Sequence, residues 1–244
     1  MEALVNPHVL EVSPYKPGKP VEDIQREFGL SRVVKLASNE NLLPVPENVR
    51  QAIRDEVPQL QYYPDSDNYF LRRRIAEYHG VGLENVIAGA GSVEIIQMLI
   101  RAFLKPGEKV LTSEKTFSLY KSATIEFAGT TAFVEAPMDR ELRFDLEAIA
   151  GRIDDDAKII FITNPNNPTG TILPGDAVRA FIARVPGDRI VVLDNAYQEY
   201  IDDPGDYVTG LDEIQTRKNV IVLRTFSKVY GLAGLRVGYA LAHP

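Results

Sequence analysis

From Val86 onward, short apolar runs rich in β-branched residues alternate with segments of helical spacing. The runs are "NVIAGAG", "KVLTSE", "TTAFVEA", "KIIFITN", "RIVVLDN", "NVIVLRTF" and "LRVGYALA". Several are apolar on both faces, so each such strand needs cover on both sides. That pattern predicts an α/β fold with a mostly parallel sheet sandwiched by helices. The chain before Val86 reads differently. "NPHVLEVSPYKPGKPVEDIQREFGL" holds four prolines and then a short amphipathic stretch, which predicts an arm followed by one helix over residues 1–35. "VVKLASNENLLPVPENVRQAI" predicts an apolar stretch, a polar turn and a helix beginning near Glu47, after Pro46. In "YYPDSDNYFLRRRIAEYHGV" a loop feeds a helix whose apolar stripe is expected at Phe70, Leu71, Ile75 and Tyr78. Residues 36–244 form the large domain in this reading, and the last run ends at "AHP" with no closing helix.

Composition narrows the function. An apolar share of 45% supports a real core, and a net charge of −7 argues against nucleic acid or an anionic membrane as the main partner. The absence of cysteine excludes disulfides and thiolate metal sites. His8, His79 and His243 have no ligand-like spacing, so no metal is expected. "MEALVNPHVL" is too acidic and too short in apolar run for a signal peptide, and no stretch approaches the roughly 20 apolar residues of a membrane span. A cytoplasmic protein is the expectation.

Ligands in open α/β sheets bind beyond the carboxyl ends of strands, and four such ends carry polar residues here. In "AGAGSVEIIQMLIRAFLKPG" a strand ends at Gly89-Ala90-Gly91, Ser92 is the expected N-cap, and residues 95, 96, 99, 102 and 103 mark a helix. Free N–H groups at such a helix start suit an anion over Gly91, Ser92 and Val93. A glycine turn with an ordinary cap gives the same pattern. "FITNPNNPTGTIL" runs a buried strand into a rigid turn whose Asn side chains can hydrogen-bond outward. In "RIVVLDNAYQEY", Asp194 follows four apolar residues, so its carboxylate is expected to be buried and to need a donor. A helix-capping Asp reads the same way. Tyr197 is three residues further on. In "RTFSKVYGLAGLRVG", Thr225 and Ser227 share one face by period-two alternation, and Lys228 stands where strand gives way to turn. A lysine there is ordinarily a solvated surface residue. In an apolar pocket or beside a cation it becomes an amine nucleophile. Arg236 offers a planar fork suited to phosphate.

An anion cradle, an amide, a buried acid, a phenol and a reactive amine together match the needs of pyridoxal phosphate. That cofactor wants a lysine for its aldehyde, an acid to keep its ring nitrogen protonated, and donors for its O3′ and phosphate.

"NPNNPTGT", "VVLDNAYQEY" and "LRTFSKVYGLAGLRVGYA", with "NPHVLEVSPYKPGKP", "VKLASNEN" and "YYPD" upstream, resemble the histidinol-phosphate aminotransferases. These are fold-type-I, class-II pyridoxal-phosphate-dependent enzymes, and the resemblance runs along essentially the whole chain in the family's order. It implies that residues 36–244 are the cofactor-binding large domain. It implies that Lys228 takes the cofactor aldehyde, that Asp194 pairs with the pyridine nitrogen, and that Asn167 and Tyr197 bond O3′. Tyr120, in "KTFSLY", is implied to stack on the ring. Ser92 and Val93 through their N–H groups, with Thr225, Ser227 and Arg236, are implied to hold the phosphate. Tyr63 is implied to reach the cofactor of a neighbouring subunit in a homodimer, and Tyr15 to contact the substrate phosphate.

The sequence departs from the family at Val93, where Asp is usual, at Asn195, where Glu is commoner, and at Ser113, where proline is frequent. It also stops at Pro244, before the family's C-terminal domain with its carboxylate-binding arginine. The implied activity is amino transfer from L-glutamate to imidazole-acetol phosphate, giving L-histidinol phosphate in histidine biosynthesis. An aromatic amino-acid aminotransferase or a threonine-phosphate decarboxylase shares the cofactor residues. A non-catalytic dimerisation or regulatory remnant is the reading from another class, and it agrees with a short chain that is inactive.

Overall fold

The computed structural model describes residues 4–13 and 18–244. Among these, all seven apolar runs become strands of one sheet: β1 Val86–Gly89, β2 Lys109–Ser113, β3 Phe133–Ala136, β4 Ala157–Thr163, β5 Ile190–Asp194, β6 Val220–Thr225 and β7 Gly238–Ala242. Their order across the sheet is β1-β7-β6-β5-β4-β2-β3. Pairing is parallel from β3 through β2, β4 and β5 to β6, while β7 runs antiparallel to both β6 and β1. The reversal has a local cause. A parallel return needs a long crossover, usually a helix, and residues 226–237 form turns and one short 3-10 segment instead.

Helices cover both faces: α4 Tyr69–His79, α5 Ser92–Phe103, α6 Leu119–Ala128, α7 Leu146–Ala150, α8 Gly175–Arg184 and α9 Leu211–Thr216. Strand alternation divides the core into two layers. Ile160 and Ile162 of β4, Leu193 of β5 and Val222 of β6 point one way, against Phe181 and Ile182 of α8 and Ile214 of α9. Ile159, Phe161, Val192 and Leu223 point the other way, against Ile95, Ile96, Leu99 and Ile100 of α5. This is why the strands carry apolar residues at successive positions. Each fully buried Ile or Leu contributes about 1.5–3 kcal/mol.

The N-terminal region differs in detail from the sequence reading. Two short helices precede the body rather than one, at Pro7–Glu11 and Val21–Phe28; a third, Glu47–Glu56, starts directly after Pro46 as expected. The stripe of α4 is narrower than expected. Ile75 and Ala76 are buried, while Phe70 and Tyr78 are 76% and 74% exposed. On α5 the buried face is Ile95, Ile96, Leu99 and Ile100, and Phe103 at the helix end is exposed. Gly91, not Ser92, occupies the N-cap of α5, and no side chain caps the helix.

Candidate active site

The cavity at the carboxyl ends of β4, β5 and β6 has a volume of about 120 Å3. Its floor is Asp194, the last residue of β5, paired in register with Thr163 at the end of β4. A carboxylate buried this far needs donors. Tyr120 Oη donates to Asp194 Oδ2 at 2.6 Å, and the Ala196 N–H donates to Oδ1 at 3.1 Å. Burial pushes the Asp194 carboxyl up from its ordinary range, and the Tyr120 hydrogen bond, the Ala196 N–H and the Lys228 charge oppose that rise.

One wall comes from the end of β6 and the turn after it. Thr225 and Ser227 line the cavity with Lys228. The Ser227 N–H donates to Thr225 Oγ1 at 3.1 Å, and the Phe226 N–H to the Val237 carbonyl at 3.0 Å, folding the segment back on itself. Lys228 Nζ donates to the Ser38 carbonyl at 3.1 Å and lies 5.5 Å from the centroid of the Tyr197 ring. Arg236 closes the wall from the far end of the turn. It holds a left-handed φ of 54°, and its guanidinium donates to Ser227 Oγ at 3.4 Å, the Ala233 carbonyl at 3.1 Å and the Ala90 carbonyl at 3.3 Å. Such backbone in a non-glycine residue costs about 1–3 kcal/mol and collects at functional sites.

The start of α5 faces this arginine. Ser92 and Val93 line the cavity, and the first N–H groups of a helix have no intrahelical acceptor. Two glycines permit the approach. Gly91 has φ +80°, and a Cβ there would run into Arg236 Nη2. A Cβ on Gly238 would sit 2.5 Å from the Ser92 nitrogen. Backbone donors, two hydroxyls and a guanidinium thus converge on one end of the cavity, an arrangement suited to an anion.

Asn167 and Tyr197 line the cavity as well. The two Asn-Pro bonds flanking this turn, Asn164–Pro165 and Asn167–Pro168, are both cis. Asn39 Nδ2 donates to Tyr197 Oη at 3.0 Å and to Asn167 Oδ1 at 3.4 Å.

Nine of the residues singled out in the sequence line this one cavity: Ser92, Val93, Asn167, Asp194, Tyr197, Thr225, Ser227, Lys228 and Arg236. Three do not. Tyr120, expected to stack over a ring in the cavity, is fully buried below it, stacked on Phe161 with centroids 4.3 Å apart. Its hydroxyl is engaged by Asp194 and by Thr163 Oγ1 at 2.9 Å. The cavity aromatic is Phe117, three residues earlier, because Tyr120 falls on the inward face of α6. Tyr63 is fully exposed and does not line the cavity. Tyr15 lies outside the described residues. Phe117 and Thr163 also line the cavity. Ser38 and Asn39, inside "VKLASNEN", reach its side chains, roles that no local spacing marks. For Phe117 the signal was present, since "KTFSLY" carries an aromatic at either position.

Among the described residues no group of His, Asp or Glu is placed to hold a metal ion, and no helix is long and apolar enough to cross a membrane.

Known proteins give the same picture. The chain is 47% identical over 241 residues to a histidinol-phosphate aminotransferase of Anaeromyxobacter sp. (strain Fw109-5), covering 99% of this chain and 65% of the relative. A histidinol-phosphate aminotransferase of Halalkalibacterium halodurans is 45% identical over 240 residues, covering 98% of this chain and 64% of the relative. The chain therefore spans less than two thirds of the length of these curated relatives. The crystal structure of histidinol-phosphate aminotransferase from Sinorhizobium meliloti, in complex with pyridoxal-5'-phosphate, superimposes with a TM-score of 0.86 at 29% identity, over 97% of this chain and 62% of that one. An aspartate aminotransferase double mutant of Thermus thermophilus, 21% identical with a TM-score of 0.81 over 98% of this chain and 64% of that one, shares the fold. The model of aminotransferase class I and II matches residues 31–244, which include every strand of the sheet and all the residues lining the cavity, and the chain belongs to that family.

Proposed function

We propose that the chain binds pyridoxal phosphate in this cavity and serves amino transfer between L-glutamate and imidazole-acetol phosphate, giving L-histidinol phosphate. The observation that carries the reading is the meeting of an amine, a buried acid and an anion cradle in one cavity, from strand ends far apart in sequence. The donor set fits the cofactor. Lys228 is the amine for its aldehyde, Asp194 the acid for its ring nitrogen, and Asn167 and Tyr197 the donors for its O3′. The start of α5, Thr225, Ser227 and Arg236 would hold its phosphate, and Phe117 supplies an apolar ring to the same space. When bound, the cofactor supplies an electron sink for the bonds at the substrate's α-carbon.

The chain's own groups have separable tasks. Asp194 is costly to bury as a lone carboxylate, so a protonated ring nitrogen is the counter-charge its site favours. Tyr120 and the Ala196 N–H occupy its other lone pairs and hold it in place. Lys228, on a turn rather than within the strand, can hold or deliver a proton at the substrate's α-carbon. The Ser38 carbonyl accepts from its Nζ and offers the ammonium a resting position. Arg236 and the helix start fix the anionic end, so the reacting end is held by orientation.

The names of the curated relatives support the substrate pair, and the S. meliloti enzyme's complex supports the cofactor. A homodimer is part of the proposal. Leu60, Tyr62, Tyr63 and Phe70 are all well exposed within one short stretch, which suits a surface covered by a second copy. The test is the half-reaction. Protein loaded with pyridoxal phosphate should lose its visible absorbance on adding L-glutamate, release 2-oxoglutarate, and regain the absorbance with imidazole-acetol phosphate. A loaded protein inert to glutamate, or restored only by aromatic keto acids, would overturn the substrate assignment.

A further inference from the structure

Asn39, inside the "VKLASNEN" segment, touches two cavity side chains at once. It lies on a segment moored along the cavity by three separate contacts. Ser38 accepts from Lys228 at 3.1 Å, Asn39 donates to Tyr197 and Asn167, and Asn41 Nδ2 donates to the Val229 carbonyl at 2.7 Å. Ser38 and Asn39 are consecutive left-handed residues, φ 69° and 50°, a conformation L-residues adopt at a cost. The backbone therefore turns sharply where the amide is delivered.

Counting donors and acceptors gives the consequence. A tyrosine hydroxyl has one hydrogen and two lone pairs. Because Asn39 Nδ2 donates to Tyr197 Oη at 3.0 Å, a lone pair is filled and the hydroxyl hydrogen remains to be given elsewhere. Because Asn167 Oδ1 receives the second Asn39 hydrogen at 3.4 Å, the Asn167 NH2 is the half of the amide left for another acceptor. Both residues line the cavity.

We propose that Asn39 is a positioning residue: its amide fixes the donor polarity of Tyr197 and Asn167, so that both donate to a single anionic oxygen of the ligand. This rests on the reading that the cavity holds pyridoxal phosphate, whose O3′ is that oxygen. The neighbourhood of the phenol agrees. Burial and the Asp194 charge push Tyr197 up, and the Asn39 hydrogen bond pulls it down. The other groups facing Tyr197 are Lys228, 5.5 Å from its ring centroid, and Tyr200, with ring centroids 6.4 Å apart, and Arg236 lines the same cavity.

Asn39→Asp reverses the polarity, because a carboxylate only accepts. The Tyr197 hydrogen then turns outward to residue 39, and the Asn167 NH2 follows. Asn39→Ala removes the donor without adding charge. With fewer donors, O3′ keeps more negative charge and holds the neighbouring proton to higher pH. The visible band of the loaded protein should titrate about one pH unit or more higher in Asn39→Asp, and higher by a smaller step in Asn39→Ala. Adding Tyr197→Phe to Asn39→Asp should shift the midpoint by less than the sum of the single changes. Equal midpoints in wild type and Asn39→Asp, or additive shifts, would overturn the proposal. A second measurement needs no cofactor. In protein carrying tyrosine labelled with 13C at Cζ, the Tyr197 signal, assigned with Tyr197→Phe, should titrate at higher pH in both Asn39 variants. An unchanged Tyr197 titration would count against Asn39 even if the protein formed no visible band, an outcome that by itself would count only against the cofactor reading.

Discussion

Burial pushes the Asp194 carboxyl up, and the foremost contact opposing that rise is the Tyr120 hydroxyl. The hydroxyl lies 2.6 Å from Oδ2 with no access to water, and burial pushes the Tyr120 phenol well up, so it remains a donor. A hydrogen bond to a buried charged group contributes about 1.5–3 kcal/mol. Tyr120→Phe keeps the stack on Phe161 but leaves that carboxylate oxygen short of a donor. We expect pyridoxal phosphate to bind roughly tenfold or more weakly to this variant by absorbance titration, with the fold intact by circular dichroism. Affinity equal to wild type would mean that Tyr120 merely fills space. Individual residues differ in how far the sequence alone reveals them. Asp194 ends a strand, Lys228 follows one and Arg236 precedes one, each within a strongly patterned segment that made it a candidate. Phe117 and Tyr120 could not be told apart, because the start of α6 decides which aromatic faces inward. The role of Asn39 within "VKLASNEN" was not legible, because its contact with Tyr197 spans 158 residues of chain.

At the scale of elements, the anion cradle is a packing of β7 and the preceding turn onto the start of α5. Gly238 makes that packing possible, since a Cβ there would sit 2.5 Å from the Ser92 nitrogen and 2.6 Å from the Gly91 carbonyl carbon. These are backbone atoms, so the clash cannot be relieved by a rotamer change. Gly238→Ala should push α5 from β7, weakening pyridoxal phosphate at least about tenfold and lowering the melting temperature by several degrees. Equal affinity by absorbance titration would show that the helix start takes no part in binding. The strands were legible because each is a short apolar run bounded by turns, and β4, β5 and β6 are buried on both faces. The antiparallel course of β7 was not, since hydrophobic pattern does not encode strand direction. That direction is fixed by residues 226–237, which form turns rather than a crossover helix. The stripe on α4 is narrower than helical spacing alone predicts: Phe70 and Tyr78 share that spacing with Ile75 but stay exposed.

For the molecule as a whole, one titratable group couples the fold to pH in a separable way. His79 Nε2 meets Tyr239 Oη at 2.9 Å, tying the end of α4 to β7. Burial, followed by repulsion from Arg224 and opposed by Glu199, lowers the imidazole from its ordinary 6.5 to about 4. The folded protein thus keeps His79 neutral in a range where the unfolded chain takes up a proton. Stability is fully present above about pH 6.5 and is progressively lost as pH falls toward about 4. Denaturant melts across that window should show a steeper loss in wild type than in His79→Gln. Parallel curves would place the acid sensitivity in the carboxylates instead.

Lys228 is the amine proposed to receive the cofactor. The direct test of this assignment is to load the protein with pyridoxal phosphate, reduce with borohydride and map the modified peptide by mass spectrometry. We predict a stoichiometric phosphopyridoxyl group on Lys228 alone, lost in Lys228→Ala. Label scattered over surface lysines, or unchanged uptake by Lys228→Ala, would contradict it.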